Sequence, residues 1–254
     1  MNANLRVHIA PVGFQFKRIT EPLIKMRADK VYLLTLAPDD EASHFLEQVK
    51  QELKSQYGVI NMKEEYADLW DPLACLEKMR KIISDERLQG NHIYVNVSTG
   101  TKITAIAGML ACMLWEGTPY YSRVAYPKRK KPEPPPSEIV DDPQLLPVYD
   151  ITKPRTEHLI ILGMLKSHGG KMRKGRLIEL LENRRTIGPK VEVGGEFTEA
   201  AKHSQLRSML EPMLKEWKFV KVEASGRRSE VMITDQGETA LRIFGTAESD
   251  KISQ

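Results

Sequence analysis

Asn96-Val97-Ser98-Thr99-Gly100-Thr101-Lys102 is the stretch whose reading decides the fold. It follows a short β-type run, His92-Ile93-Tyr94-Val95, and precedes an almost wholly apolar segment from Ile103 to Trp115 that is long enough for three helical turns. The stretch is therefore a loop from the carboxyl end of a strand into a helix. A helix start of this kind presents unpaired backbone N–H groups and a positive dipole end to an anion. Gly100 lets the backbone approach a ligand closely, Ser98, Thr99 and Thr101 supply hydroxyls, Asn96 an amide and Lys102 a cation. That is a phosphate- or nucleotide-binding composition, although neither G-x-x-x-x-G-K-[ST] nor G-x-G-x-x-G is present.

Working outward, apolar runs alternate with helical spacing over some 125 residues. Strands are expected over 5–10, 31–36, 59–62, 92–95 and 120–125, with helices over roughly 17–28, 41–56, from 72 onward, and 103–115. Such alternation predicts a parallel, Rossmann-like sheet. Pro11-Val12-Gly13-Phe14-Gln15 is a second Gly-bearing loop, after the first strand. Parallel strands all end on one edge, so both loops belong there.

Residues 127–154 break the pattern. Lys128-Arg129-Lys130-Lys131 is followed by Pro132 and Pro134-Pro135-Pro136, a composition that favours extended chain and reads as an interdomain connection. A second domain is expected over 155–246, with a tail over 247–254. Helices are expected from Leu159 to Leu165 and from Arg173 to Glu182, and Leu206, Met209, Leu210, Met213, Leu214 and Trp217 form the strongest helical stripe in the chain, with Pro212 inside it as an expected kink. Two short strands, 219–223 and 230–233, flank a turn carrying Arg227 and Arg228, and Thr234-Asp235-Gln236-Gly237 opens a last helix.

Length alone allows one large domain or two smaller ones. The longest apolar run is too short to span a bilayer. Met1-Asn2-Ala3-Asn4 leads straight into a strand, so no signal peptide is expected. Cys75 and Cys112 lie apart in helical segments without metal-ligand spacing, which fits a cytoplasmic location and no metal site. Residues 151–254 carry 19 Lys and Arg against 14 Asp and Glu, whereas residues 1–150 carry 19 against 20. The basic excess thus falls in the second domain, as expected if that part meets nucleic acid.

Residues 204–237 resemble the MarR-like winged-helix pattern: a recognition helix running into Trp217-Lys218-Phe219-Val220, a wing with Gly226-Arg227-Arg228, then Ile233-Thr234-Asp235-Gln236-Gly237. Ser204, Gln205, Arg207 and Ser208 are expected to face the major groove, and Arg227 and Arg228 to reach phosphate or the minor groove. The whole chain resembles the CARF (CRISPR-associated Rossmann fold) regulators with a C-terminal winged helix, including the Csa-type regulators and related archaeal transcription factors. The sharpest matches are the two Gly-bearing loops. The resemblance implies a homodimer that shares one cyclic oligoadenylate, typically the four-adenosine ring, across its two-fold axis. Val12, Gly13 and Phe14 would line the adenosine pocket, Ser98, Thr99, Gly100, Thr101 and Lys102 would hold ribose and phosphate, and Asn96 would shape the loop. The expected function is a ligand-responsive transcription regulator that binds double-stranded DNA, with no cofactor beyond that ligand. The alternative is a metal-independent ring nuclease that slowly cleaves the ligand. Neither Gly-bearing loop contains a His or carboxylate to serve as a base, and His8 and His92, on strands, read as structural, so no catalytic residue is expected.

Overall fold

The computed structural model describes residues 4–36, 42–57, 61–125, 139–188, 198–223 and 229–245. The chain divides into two compact units, Met1–Ile151 and Thr152–Gln254.

The first unit alternates as its sequence predicts: β1 (Arg6–Pro11), α1 (Lys17–Lys25), β2 (Lys30–Thr35), α2 (Ala42–Tyr57), β3 (Asn61–Tyr66), α3 (Pro72–Leu88), β4 (His92–Asn96), α4 (Lys102–Trp115) and β5 (Thr118–Tyr121). β1 and β2 are buried on nearly every residue because both faces of the sheet are covered. The strand order is β3-β2-β1-β4-β5, all parallel, with β8 (Gln144–Leu145) added antiparallel at the β5 edge. α1 packs with α2, and α3 with α4. Right-handed crossovers out of β1 and β4 run in opposite directions, so the α1/α2 pair and the α3/α4 pair lie on opposite faces. Ala10, Val12, Ile19, Leu23, Val31, Leu33, Leu46, Val49 and Leu53 form the core under α1 and α2. On the other face Gly108 brings α4 down onto Val95 and Val97; a Cβ there would stand 3.1 Å from a methyl carbon of each.

Two expectations change. The strand expected over 120–125 is broken: β5 ends at Tyr121, and β6 (Val124–Ala125) pairs instead with β7 (Ile139–Val140). The connection expected over 127–154 is shorter than it reads, because β7 and β8 pair with strands of the first unit and that unit extends to Ile151. Two-residue strands carry too few side chains for an alternation to show. The basic and triple-proline runs lie outside the described residues.

The second unit comprises α5 (Thr156–Ser167), β9 (Lys171–Arg173), α6 (Lys174–Asn183), α7 (Glu199–Lys215), β10 (Val220–Glu223), β11 (Glu230–Ile233) and α8 (Asp235–Phe244). β9 was not legible in the sequence. It adds antiparallel to the β10–β11 hairpin and gives a three-stranded sheet in the order β10-β11-β9. Helix, strand, two helices, hairpin, helix is winged-helix topology. The core gathers Leu162, Leu165, Leu177, Leu181, Leu206, Leu210, Met213, Val220 and Val231. α7 stays helical through Pro212 to Lys215, capped at its start by the Thr198 hydroxyl. Gly237 is required where α8 begins: a Cβ would lie 2.2 Å from the Phe219 carbonyl oxygen.

Candidate functional site

The strand order reverses between β1 and β4. β1 leads outward to β2 and β3, and β4 leads the other way to β5. In open α/β sheets the crevice beyond the carboxyl ends of the strands at this switch point is where ligands bind. Both Gly-bearing loops are there. Their backbones touch: a Cβ on Gly13 would stand 2.9 Å from the Gly100 nitrogen. Gly100 has φ +79°, and a Cβ there would meet the Thr104 hydroxyl oxygen at 2.5 Å and Pro11 Cβ at 2.8 Å.

The uncharged polar side chains of loop 96–102 make hydrogen bonds within the protein, and Asn96 shapes the loop as expected. Asn96, fully buried, donates through Nδ2 to the Arg18 carbonyl (2.9 Å) and accepts from the Ser98 N–H (2.9 Å). The Ser98 hydroxyl accepts from the Ser122 N–H at 2.7 Å. The Thr99 hydroxyl donates to the Pro11 carbonyl at 2.7 Å, tying the two Gly-bearing loops together. Thr101 caps α4 by accepting from the Thr104 N–H (3.1 Å) and donates to the Leu69 carbonyl (2.9 Å). These hydroxyls hold the loop in shape. The N–H groups of Thr99, Gly100, Thr101, Lys102 and Ile103 have no hydrogen-bond partner among the described residues. Lys102 is exposed at the helix start. Val12 is buried in the core, Gly13 is partly open, and Phe14 is 73% exposed with its ring edge-on to Phe45 at 5.1 Å.

Sequence reading missed two neighbours of this crevice, Trp70 and Arg18, and read a third, His8, as structural. Trp70, 69% exposed, follows Leu69, whose carbonyl holds Thr101. Arg18, on the first turn of α1, is tied to the loop through Asn96. Below the crevice, buried His8 stacks on Tyr94 (4.9 Å between centroids) and lies 3.4 Å from the Tyr120 hydroxyl. Burial, then the Arg6 charge, hold its pKa down at about 3, against a weaker upward pull from Asp29. Only the aromatic at 14 was legible, because it adjoins a glycine loop.

In the second unit, α7 exposes His203, Ser204, Arg207, Ser208, Glu211 and Lys215. A cavity of about 450 Å³ opens on this side, lined by Lys174, His203, Arg207, Glu211 and Lys215 over Leu206, Leu210 and Leu214. Ser204, Arg207 and Ser208 stand on the outer face as expected, although the Ser208 hydroxyl donates to the Gln205 carbonyl. Gln205 is corrected. Its carboxamide accepts from the Gly188 N–H (3.2 Å) and donates to the Gly188 carbonyl (2.9 Å), pinning the α6–α7 connection to α7. A side chain so engaged positions the helix instead of reading bases. Arg227 and Arg228 lie outside the described residues.

The Cys75 and Cys112 thiols are buried, with burial pushing their pKa values up to about 11 and about 12. No group of side chains suited to a metal ion occurs among the described residues, and no described helix is long and apolar enough to cross a membrane.

Residues 6–126 match the family model described as HFX_2341_N-like, N-terminal, and residues 157–245 match that of the DUF6293 C-terminal winged helix domain. The chain is 31% identical over 192 residues to the uncharacterized protein MJ1513 of Methanocaldococcus jannaschii, a match covering 65% of this chain and 57% of that relative. The chain thus spans little more than half the length of that curated relative. Among solved structures it is similar to a Type III CRISPR defence DNA nuclease activated by cyclic oligoadenylate (TM-score 0.42, 15% identity, 88% of this chain and 36% of that one). It is also similar to Can2 from Sulfobacillus thermosulfidooxidans in complex with cyclic tetra-adenylate (TM-score 0.37, 14% identity, 94% and 64%). The HFX_2341-like match falls on the Rossmann-like sheet of the first unit, and the DUF6293 winged-helix match falls on the second unit.

Proposed function

We propose that the protein is a dimeric transcription regulator whose first domain binds a cyclic oligoadenylate and whose winged helix binds double-stranded DNA. One observation carries the ligand assignment: the two Gly-bearing loops meet at the switch point, with N–H groups unpaired among the described residues and exposed Lys102 beyond the strand ends. An anion fits there because dipole, N–H donors and cation act together. A cyclic oligoadenylate presents repeated phosphates, and two copies of one loop, related by a two-fold axis, match a symmetric ring. An apolar stripe on α4 supports pairing of two copies. Ile106 is 56% and Leu110 39% exposed, with Ile103, Met109 and Met113 half-buried beside them.

The winged-helix match and the outer face of α7 support DNA binding. Arg207, Lys174 and Lys215 supply cations there, and in sequence Arg227 and Arg228 fall between β10 and β11. The double variant Arg227→Ala, Arg228→Ala is expected to bind all DNA sequences more weakly. Its log–log salt slope should be shallower by about 0.9 for each phosphate that the wing no longer neutralises. Titrations at several salt concentrations check this, and an unchanged slope places the wing away from the backbone.

Ligand and DNA sites communicate, in this reading, through the spacing of the two reading heads in the dimer. Heads engage two half-sites only at a separation near one helical turn. Coupling of the usual size changes DNA affinity about 5–150-fold, and operator DNA must change ligand affinity by the same factor. The test is a reciprocal pair of titrations: DNA with and without cyclic tetra-adenylate, then the ligand with and without DNA. Equal affinities within each pair would leave two independent binding modules and sink the regulatory reading. Appearance of a linear product during incubation would establish the ring-nuclease alternative.

A further inference from the structure

We propose that Arg18 is a second anion-binding group of the crevice, clamping phosphate from the α1 side while Lys102 holds it from the α4 side. The proposal rests on the ligand reading above and names a residue that reading lacks.

The topology places the pair. α1 follows β1 and α4 follows β4, so their first turns both stand at the carboxyl edge, and the two helices lie on opposite faces of the sheet. Arg18 and Lys102 therefore flank the switch-point crevice from its two sides. Arg18 is built into the loop in three places. Its carbonyl accepts from Asn96 Nδ2 at 2.9 Å. Its Nε donates to the Ser122 carbonyl at 3.0 Å, and the Ser122 N–H is in turn held by the Ser98 hydroxyl. Its Nη1 donates to Gln15 Oε1 at 2.8 Å, and the guanidinium lies 5.3 Å from the centre of the Tyr121 ring. The side chain is thus fixed before any ligand arrives, which lowers the ordering cost of binding.

Its binding capacity is not consumed. A guanidinium carries five N–H donors. Two are used, and Arg18 makes no ion pair and no other side-chain hydrogen bond among the described residues. A second observation lies in the same cluster. Ser122 is fully buried, and its hydroxyl oxygen has no hydrogen-bond partner among the described residues. A buried hydroxyl is normally satisfied, so a further polar partner belongs beside it. A held guanidinium with a free donor edge is suited to a phosphate, whose oxygens match its fork.

The test measures binding of cyclic tetra-adenylate and of inorganic tetrapolyphosphate at several salt concentrations, for wild type, Arg18→Gln, Arg18→Lys and Lys102→Ala. Gln removes the charge and keeps a donor for the Ser122 carbonyl. Arg18→Gln is expected to weaken binding of the ring about tenfold or more. Its log–log salt slope should become shallower by about 0.7. Arg18→Lys should keep the slope and lose affinity several-fold. Wild-type affinity in Arg18→Gln overturns the proposal, and so does weaker binding with an unchanged slope, which is what a purely positioning residue would give. If Arg18→Gln fails to fold by circular dichroism, Arg18→Lys decides, and wild-type affinity there overturns the proposal. Arg18-dependent binding of tetrapolyphosphate without binding of the ring keeps the anion subsite and removes the cyclic ligand. A wild-type chain that binds neither probe overturns both.

Discussion

Gly100→Ala is expected to destabilise the first domain by about 3 kcal/mol or more and to abolish ligand binding. Two independent costs add. At φ +79° any L side chain is strained, by about 1–2 kcal/mol. The new Cβ would also stand 2.5 Å from the Thr104 hydroxyl and 2.8 Å from Pro11 Cβ. Neither neighbour yields cheaply. The Thr104 hydroxyl is engaged with the Thr101 and Thr99 carbonyls, and Pro11 belongs to β1. Overpacking of this sort costs about 1–3 kcal/mol. Relief requires the two Gly-bearing loops to separate, which disperses the N–H groups presented at the crevice. Gly90→Ala is the internal control. Its φ is +81°, but its nearest obstacle is the Asn4 side chain at 3.4 Å, so it should show the backbone cost alone. Urea unfolding of both variants checks the difference, and calorimetry with cyclic tetra-adenylate checks the binding. Equal destabilisation of the two would mean that the loops are not in contact.

Acid is expected to weaken the first domain well above the pH at which carboxylates usually protonate. His8 is fully buried, and its pKa is lowered from 6.5 to about 3, chiefly by burial and then by Arg6. Its folded-state pKa lies below its unfolded value. The neutral ring's contribution is therefore fully present above about pH 6.5 and is lost as pH falls toward the folded pKa. The loss approaches 1.4 kcal/mol per pH unit within that window, roughly 2 kcal/mol between pH 6.5 and 5 and roughly 4 kcal/mol by pH 3. Asp29, Glu64 and Glu86 also have lowered pKa values, through hydrogen bonds or ion pairs with Arg6, Lys50 and Lys30. Their contributions are lost as pH falls from the ordinary carboxylate range toward their lowered pKa values, so the interval from pH 5 to 6.5 reports on histidine. His158 in the second domain is lowered by burial too, so the domains must be followed by separate probes. His8→Phe removes the titrating ring while leaving an aromatic against Tyr94. Its first-domain stability should be flat from pH 6.5 to 5. A wild-type domain equally stable at both pH values would contradict the burial of His8.

The winged helix illustrates how local pattern and tertiary partner divide the information. The stripe from Leu206 to Trp217 places α7 and its outer face, because helical period is written in consecutive residues. Ser204, Arg207 and Ser208 follow from it. Gln205 does not, since its carboxamide is claimed by Gly188, seventeen positions away across a connection with no periodicity. β9 escaped for a related reason: three residues pair with β11 only after the hairpin exists.

What the sequence determined by itself was the alternation that makes the first domain Rossmann-like, the change to helical period near Thr156, and glycines at 13 and 100 after two strands. Burial, period and the backbone freedom of glycine are local properties, so a single chain displays them. Only the tertiary structure decided what the polar residues around the crevice do. Thr99 bonds to Pro11 over 88 positions, Asn96 to Arg18 over 78, and His8 meets Tyr120 over 112. Composition marked Ser98, Thr99 and Thr101 as hydroxyls for a ligand, and the strand order β3-β2-β1-β4-β5 also set main-chain groups of other segments beside them, with Thr99 buried against the Pro11 carbonyl. The same order carried Arg18, from a helix with no motif, to the mouth of the loop, because neighbours across a parallel sheet are chosen by crossover connections and not by distance along the chain.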